Sequence, residues 1–352
     1  MNTTEALGPR PTEQRASRFV ALLCQVPGLA LALGLGVAGL WLSGLPLLAR
    51  WQVSALTLAI VFGMVLGNVF GVRLPAALTP GVITAQQKLL RLGVVLYGLR
   101  ISFQQIAAVG VHGLIIDTVI VVGTLVLGTM IGRRLLGLDR HTAILVSSGS
   151  AVCGAAAVLA VERVLKPDPG KVAIAVATVV LFGTIDIFVY PWLFGYAGLD
   201  ASQFGLFTGA TVHEVAQVVA AGSAISPAAA DTAVIVKLTR VMMLVPVLFA
   251  LSWGESRGST AAPGGKARMS VPWFALVFVA VAGVNSVISL PPALREALLT
   301  IDTLALAAAM AALGLETRVA KLKALGPRPL VLAIVLWLWL IGMGLGLTHL
   351  LA

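Results

Sequence analysis

Apolar residues run along this chain in stretches of about twenty, separated by short polar intervals. Eleven segments can be drawn, at 26–45, 53–72, 83–99, 106–132, 142–161, 172–194, 204–222, 232–253, 272–290, 297–315 and 330–351. A helix of that length crosses a hydrocarbon layer of about 30 Å. The runs are continuous rather than alternating, which excludes a barrel of strands. The pattern predicts an all-α polytopic membrane protein with about 9–11 transmembrane segments. A tail, residues 1–25, precedes a single transmembrane domain, 26–352. The one long polar interval, 254–270, is rich in Gly, Ser, Ala and Lys/Arg and predicts a flexible loop between the eighth and ninth segments.

Composition agrees. Hydrophobic residues make up 59 % of the chain and charged residues 11 %, against about 25 % charged in a soluble domain; the mean hydropathy is +1.01. The partner this implies is the lipid bilayer. The net charge of +10 is spread over many short loops with no basic stripe interleaved with aromatics, which argues against nucleic acid. Cys24 and Cys153 are too few for a disulfide framework. Arg10, Arg15 and Arg18 precede a first apolar run that is too long for a signal-peptide core, so a retained first helix is expected.

Charge also bears on topology. With the N-terminus inside and all eleven segments spanning, most loop bases fall inside, but Arg163, Lys166 and Lys171 fall outside. If segments five and seven instead enter and return to the same side, those three bases move inside, and only Arg50, Arg100 and Arg295 stay outside. The loops flanking segment seven carry Asp200 and Asp231 and no bases, and both segments are rich in small residues. The sequence therefore favours re-entrant segments over plain spans, with helices broken at mid-membrane as a further form.

Faint repeats fit that picture. Gly98, Leu99, Ala108, Gly110 and Leu114 recur as Gly314, Leu315, Ala324, Gly326 and Leu330, at a constant offset of 216. Val152, Ala156, Val158 and Ala160 recur as Val212, Ala216, Val218 and Ala220, at an offset of 60. With segments five and seven re-entrant, both pairs run in opposite directions, the inverted symmetry of secondary transporters. Gly-x-x-x-Gly at Gly63–Gly67 and Gly128–Gly132 suits close helix packing within or between protomers, and a homo-oligomer stays open.

The polar groups inside apolar segments are the candidate chemistry, because ionisable residues at membrane depth are costly and usually line a pathway. Thr211, His213, Glu214 and Gln217 stand in segment seven. On one helix, His213, Glu214 and Gln217 would share a face. As a zinc motif the cluster fails, since Gln217 stands where the second histidine belongs. Ser148, Gly149, Ser150, Cys153 and Gly154 stand in segment five, where glycines let backbone unwind and a half-helix N-terminus with serines beside it holds an oxyanion. Cys153 itself reads as a small packing residue. Lys237 and Arg240, one turn apart in segment eight, either balance Glu214 or an anion, or snorkel towards the interface. Arg91 reads as deeper than Lys88 in segment three, and Arg100 follows that segment. Asp117, Asp186 and Asp302 are intramembrane carboxylates that the sequence cannot pair. No metal or cofactor is expected, and no P-loop suggests ATP-driven pumping.

Five stretches resemble a known family: LRLGVVLYGLR at Leu90–Arg100, SAVCGAAAVLA at Ser150–Ala160, AVATVVLFGT at Ala175–Thr184, TVHEVAQVVAAG at Thr211–Gly222 and RVMML at Arg240–Leu244. They look like the YeiH-like bacterial inner-membrane proteins, a family named for sulfate export and thought to be related to bile acid and other inverted-repeat carriers. The resemblance runs from about Pro27 to the C-terminus. It implies a multi-pass inner-membrane protein with a cytoplasmic N-terminus, exporting a small anion such as sulfate or a sulfonate, with no enzymatic activity. The residues add a reason for an anion and a coupling proton: a Gly/Ser-rich break, Lys237 and Arg240, and the pair His213/Glu214. A non-transporting sensor or scaffold is the alternative, though no loop is large enough for a domain. An intramembrane enzyme using Ser150 or His213 is a third reading.

Overall fold

The computed structural model describes residues 23–45, 54–69, 75, 77–258, 273–317 and 326–351, with the side chains of 255–258 outside that set. The N-terminal tail up to residue 22 and most of the expected 254–270 loop lie outside the described residues. Helix continues to Gly258, through the first five residues of that loop.

Among the described residues all regular structure is helical. The order is α1 (Val26–Ser43), α2 (Ala55–Asn68), α3 (Thr79–Thr84) running through a π turn (Ala85–Leu89) into α4 (Leu90–Tyr97), α5 (Phe103–Arg134), α6 (Arg140–Ala151), α7 (Ala155–Leu165), α8 (Pro169–Ala197), α9 (Ala201–Thr211), α10 (Val215–Ser223), α11 (Pro227–Met242), α12 (Leu244–Gly258), α13 (Trp273–Val287), α14 (Pro292–Glu316) and α15 (Pro327–Leu351). Among the described residues six stretches are long and apolar enough to cross a membrane: α1, α5, α8, α11 with α12, α14 and α15. The shorter apolar helices α2 and α13 run alongside them.

Segments five and seven are helical hairpins. In a continuous helix Gly149 and Val158 would stand about 13 Å apart. Here a Cβ on Gly149 would sit 2.8 Å from Val158 Cγ2, so α7 folds back along α6. The roots agree: Asp139 caps α6, and Lys171 at the start of α8 reaches it at 2.8 Å. The second hairpin shows the same geometry. Gly205, in the second turn of α9, and Gly222, in the last turn of α10, both pack on the start of α11, at Ala229 and Ala230. Since α8 is about 43 Å long and separates the two roots, the hairpins enter from opposite faces. One face carries Arg133, Arg134, Arg140, Arg163, Lys166 and Lys171; the other carries Asp200 and Asp231.

Local sequence explains where these helices start and stop. Asp139, Asp168, Asp200 and Ser226 each accept backbone N–H groups as N-caps, and Pro169 and Pro227 sit at first helical positions. The 60-residue repeat is visible in the elements: α6 and α9 both end at a three-residue break, 152–154 and 212–214, and a hairpin and a crossing helix form each unit. The 216-residue repeat relates α4–α5 to α14–α15, which run the other way. Its glycines Gly110 and Gly326 both hold positive φ, 30° and 72°. The second copy of the repeat is thus permuted along the chain, with its hairpin first.

Two groups of helices result. α1, α2, α3–α4, α13 and α14 pack through small residues: Gly36 on Ala307 and Ala308, and Gly63 on Ala311 and Gly314. The hairpins sit among α5, α8, α11 and α15. Gly128 and Gly132 seat on Ser147, Ala143, Leu332 and Leu336, so both Gly-x-x-x-Gly pairs serve packing within the protomer.

Candidate functional site at the hairpin tips

The two hairpin tips meet in the interior. The breaks at 152–154 and 212–214 leave the C-terminal carbonyls of α6 and α9 without intrahelical partners. Arg240 and Lys237 of α11 supply the donors. Arg240 Nε donates to Ala151 O (2.6 Å) and Nη1 to Ala210 O (2.6 Å), and Nη2 donates to Ser150 O. Lys237 Nζ donates to Val152 O (2.8 Å) and Val212 O (2.7 Å). Each cation therefore binds both tips, at helix ends whose dipoles favour positive charge. Both side chains are fully buried, so neither snorkels.

On the other side of the tips lie helix N-termini. The Ala155 amide at the start of α7 donates to Glu214 Oε1 at 3.3 Å, and the Glu214 amide donates to Gln217 Oε1 at 3.0 Å. Gly154 has φ 68° and lies against Glu214, where a Cβ would come within 2.5 Å of Glu214 Cγ. Gly183 of α8 gives the Gln217 amide its space. Asp186, also on α8, faces His213 Nδ1 at 3.4 Å and accepts from Trp337 Nε1 at 2.6 Å. Tyr190 donates to Thr211 Oγ1 at 3.0 Å and stacks on Phe207. Among the described residues around the tips, both oxygens of Asp117, Gln217 Nε2, Thr184 Oγ1 and Thr208 Oγ1 have no hydrogen-bond partner.

Several expectations need correction. His213 and Glu214 do not share a helix face with Gln217, because the chain is broken there and Glu214 is extended (φ −121°, ψ 152°). The serines do not stand at a half-helix N-terminus. Ser147 and Ser148 occupy the last turns of α6, and their hydroxyls donate to Ala143 O and Leu145 O. The N-terminus at the tip belongs to Gly154 and Ala155. Arg91 is exposed on α4 rather than deep. Arg100 ion-pairs with Asp302 at 2.7 Å, away from the tips and near the acidic face. The structure brings Ser150, Cys153, Gly154, Thr211, His213, Glu214, Gln217, Lys237, Arg240, Asp117 and Asp186 together from six helices and the two breaks. Sequence reading missed Gly183, Thr184, Tyr190 and Trp337, since nothing in an apolar run marks which residue turns inward.

The tip cluster is closed from both faces, with His213, Glu214 and Gln217 at most 9 % exposed. A cavity of about 1230 Å³ opens near the basic face, lined by α5, α6 and α12 and including Ile144, about two turns from the first tip. A second, of about 420 Å³, lies near the acidic face between α2, α4, α10, α11 and α14 and reaches Val219, about one turn from the second tip. Tyr97 closes part of it by donating to Asp231 at 3.0 Å.

Comparison with known proteins adds a family. The family described as conserved hypothetical protein 698 matches residues 27–333. The chain is 48 % identical over 308 residues to the UPF0324 inner membrane protein YeiH of Escherichia coli (strain K12), covering 87 % of this chain and 88 % of that one. It is 46 % identical to a UPF0324 membrane protein of Yersinia pestis, with 90 % of each chain covered. A UPF0324 membrane protein of Pseudomonas aeruginosa is 47 % identical, with 87 % of this chain and 88 % of that one covered. No solved structure matches.

Proposed function

The chain belongs to the conserved hypothetical protein 698 family, and from that premise we propose that it is a secondary transporter of a small anion such as sulfate or a sulfonate, coupled to protons and working as an exporter. The observation that carries this reading is the meeting of two re-entrant hairpins, entered from opposite faces, at a buried cluster of half-helix ends and ionisable groups. Secondary transporters place substrate and coupling ions at such broken helices near the midplane. Helix N-termini favour anions, and Lys237 and Arg240 add positive charge beside them while bonding the carbonyls. The two cavities approach the tips from opposite faces, as alternating access requires. The positive-inside rule supports taking the basic face, and with it the N-terminal side of α1, as the cytoplasmic side of an inner membrane.

Counterflow of radiolabelled sulfate into proteoliposomes, with and without a pH gradient, tests this beside Glu214→Gln. Gradient-dependent uptake that the variant loses is expected. Tight vesicles of folded protein that move neither sulfate nor any of a panel of sulfonates would overturn the reading.

A further inference from the structure

The carboxylate of Glu214 occupies the position in which an oxyanion would be best held. It accepts the first amide of α7 from Ala155, and its own backbone amide is held by Gln217 at the start of α10. Beside it, the Nε2 group of Gln217 is buried with no partner. That amide packs against Gly183 of α8, and the hydroxyl of Thr184, the next residue along α8, is also buried without a partner. Buried donors without acceptors are rare and costly, and an oxyanion would satisfy them.

The charges facing Glu214 set a limit on what can bind. Lys237 and Arg240 of α11 carry two positive charges, both spent on tip carbonyls. Against them stand Glu214, Asp117 of α5 and Asp186 of α8, the last with His213 against it, while Cys153 lies on the facing tip. An arriving anion next to an ionised Glu214 adds like charge in a dry interior, where repulsion is strong.

We propose that the Glu214 carboxylate is the resident occupant of the oxyanion position at the α7 N-terminus, with the Gln217 Nε2 donor left unfilled on the same tip, and that the transported anion binds by displacing the carboxylate as Glu214 takes up one proton. The proton moves from solution to the carboxylate, giving a neutral acid that can turn away from the Ala155 amide. The anion then accepts from Ala155 N and Gln217 Nε2. Coupling thus comes from competition for one seat and needs no second ion site. This rests on the anion-transporter reading above.

The test is binding of radiolabelled inorganic sulfate to the purified full-length chain in detergent, across acid to neutral pH. Wild-type affinity is expected to fall about tenfold per pH unit on the alkaline side, as one linked proton requires. Glu214→Gln is expected to bind at least as tightly as wild type at acid pH, with no pH dependence. Proton uptake by the wild type on adding sulfate, read with a pH indicator in weak buffer, is a second measurement that does not depend on the variant folding, expected at about one proton per anion. Sulfate bound without proton uptake, or a folded Glu214→Gln that keeps the wild-type pH dependence, overturns the proposal. Flux that is indifferent to pH would sink this inference and leave the transporter reading standing. Proton-linked binding in protein that moves no anion across vesicles would do the reverse.

Discussion

At the scale of single residues, the tip depends on two in particular. Gly154 holds a positive φ, and a methyl group there would press on Glu214 Cγ. Gly154→Ala should cost about 1–3 kcal/mol from backbone strain and disturb the Glu214–Ala155 bond, so transport should fall further than thermal stability does. Both are measurable on one preparation, and a variant with normal flux would show that the tip geometry is dispensable. Arg240 is the other. Removing it strands the carbonyls of Ser150, Ala151 and Ala210, each at about 1–3 kcal/mol. Arg240→Ala is therefore expected not to yield a monodisperse protein in detergent. Arg240→Lys should fold but melt lower, since a single ammonium cannot fork to both tips.

At the scale of elements, the root of the first hairpin is a titratable clasp. Partial burial works against the charge of Asp139, but bonds from Lys171 and from the hydroxyl and amide of Thr142 outweigh it and hold the carboxyl down at about 2. A depressed carboxylate stabilises the fold fully above the ordinary carboxylate range near 4 and loses that contribution as pH falls towards 2. The difference in melting temperature between wild type and Asp139→Asn should therefore be present at neutral pH and vanish across that acid window. It should stay small, because the pair is partly exposed. Hairpin topology makes a second prediction. In a Cys24→Ser background, Arg140→Cys and Lys166→Cys should react with an impermeant maleimide from the same face, and Ser202→Cys from the opposite one. A spanning segment five would separate the first two.

At the scale of the whole molecule, the hairpin-bearing helices meet α2 and α14 through α10 and meet α4 through the Tyr97–Asp231 bond. Separating α4 from α11 at the cavity near the acidic face would break that bond. A hydrogen bond to a charged group contributes about 1.5–3 kcal/mol, so Tyr97→Phe should speed maleimide labelling of Ser223→Cys by on the order of tenfold or more. An unchanged rate would mean that this face does not open at Asp231.

Much of this architecture was legible before any coordinates. Apolar runs of bilayer length can satisfy their backbone only as helices, which determined the fold class. The misplaced bases Arg163, Lys166 and Lys171 pointed to a re-entrant segment five, because charge asymmetry records which side a loop lies on. The faint 60-residue echo between Val152 and Val212 paired segments five and seven, and the structure puts a break at the same place in each. What pattern alone could not decide is where the polar groups point. His213, Glu214 and Gln217 suggested one helix face, and only the break between α9 and α10 separated them. Lys237 and Arg240 fitted anion binding and snorkelling equally well on paper. Their donors are committed to tip carbonyls because two hairpins, distant in sequence, bring unpaired helix ends to the same buried point. Pairings such as Asp186 with His213 and Trp337 belong to that same level: they join α8, the second tip and α15 across the interior, and local sequence carries no record of a contact made only when helices pack.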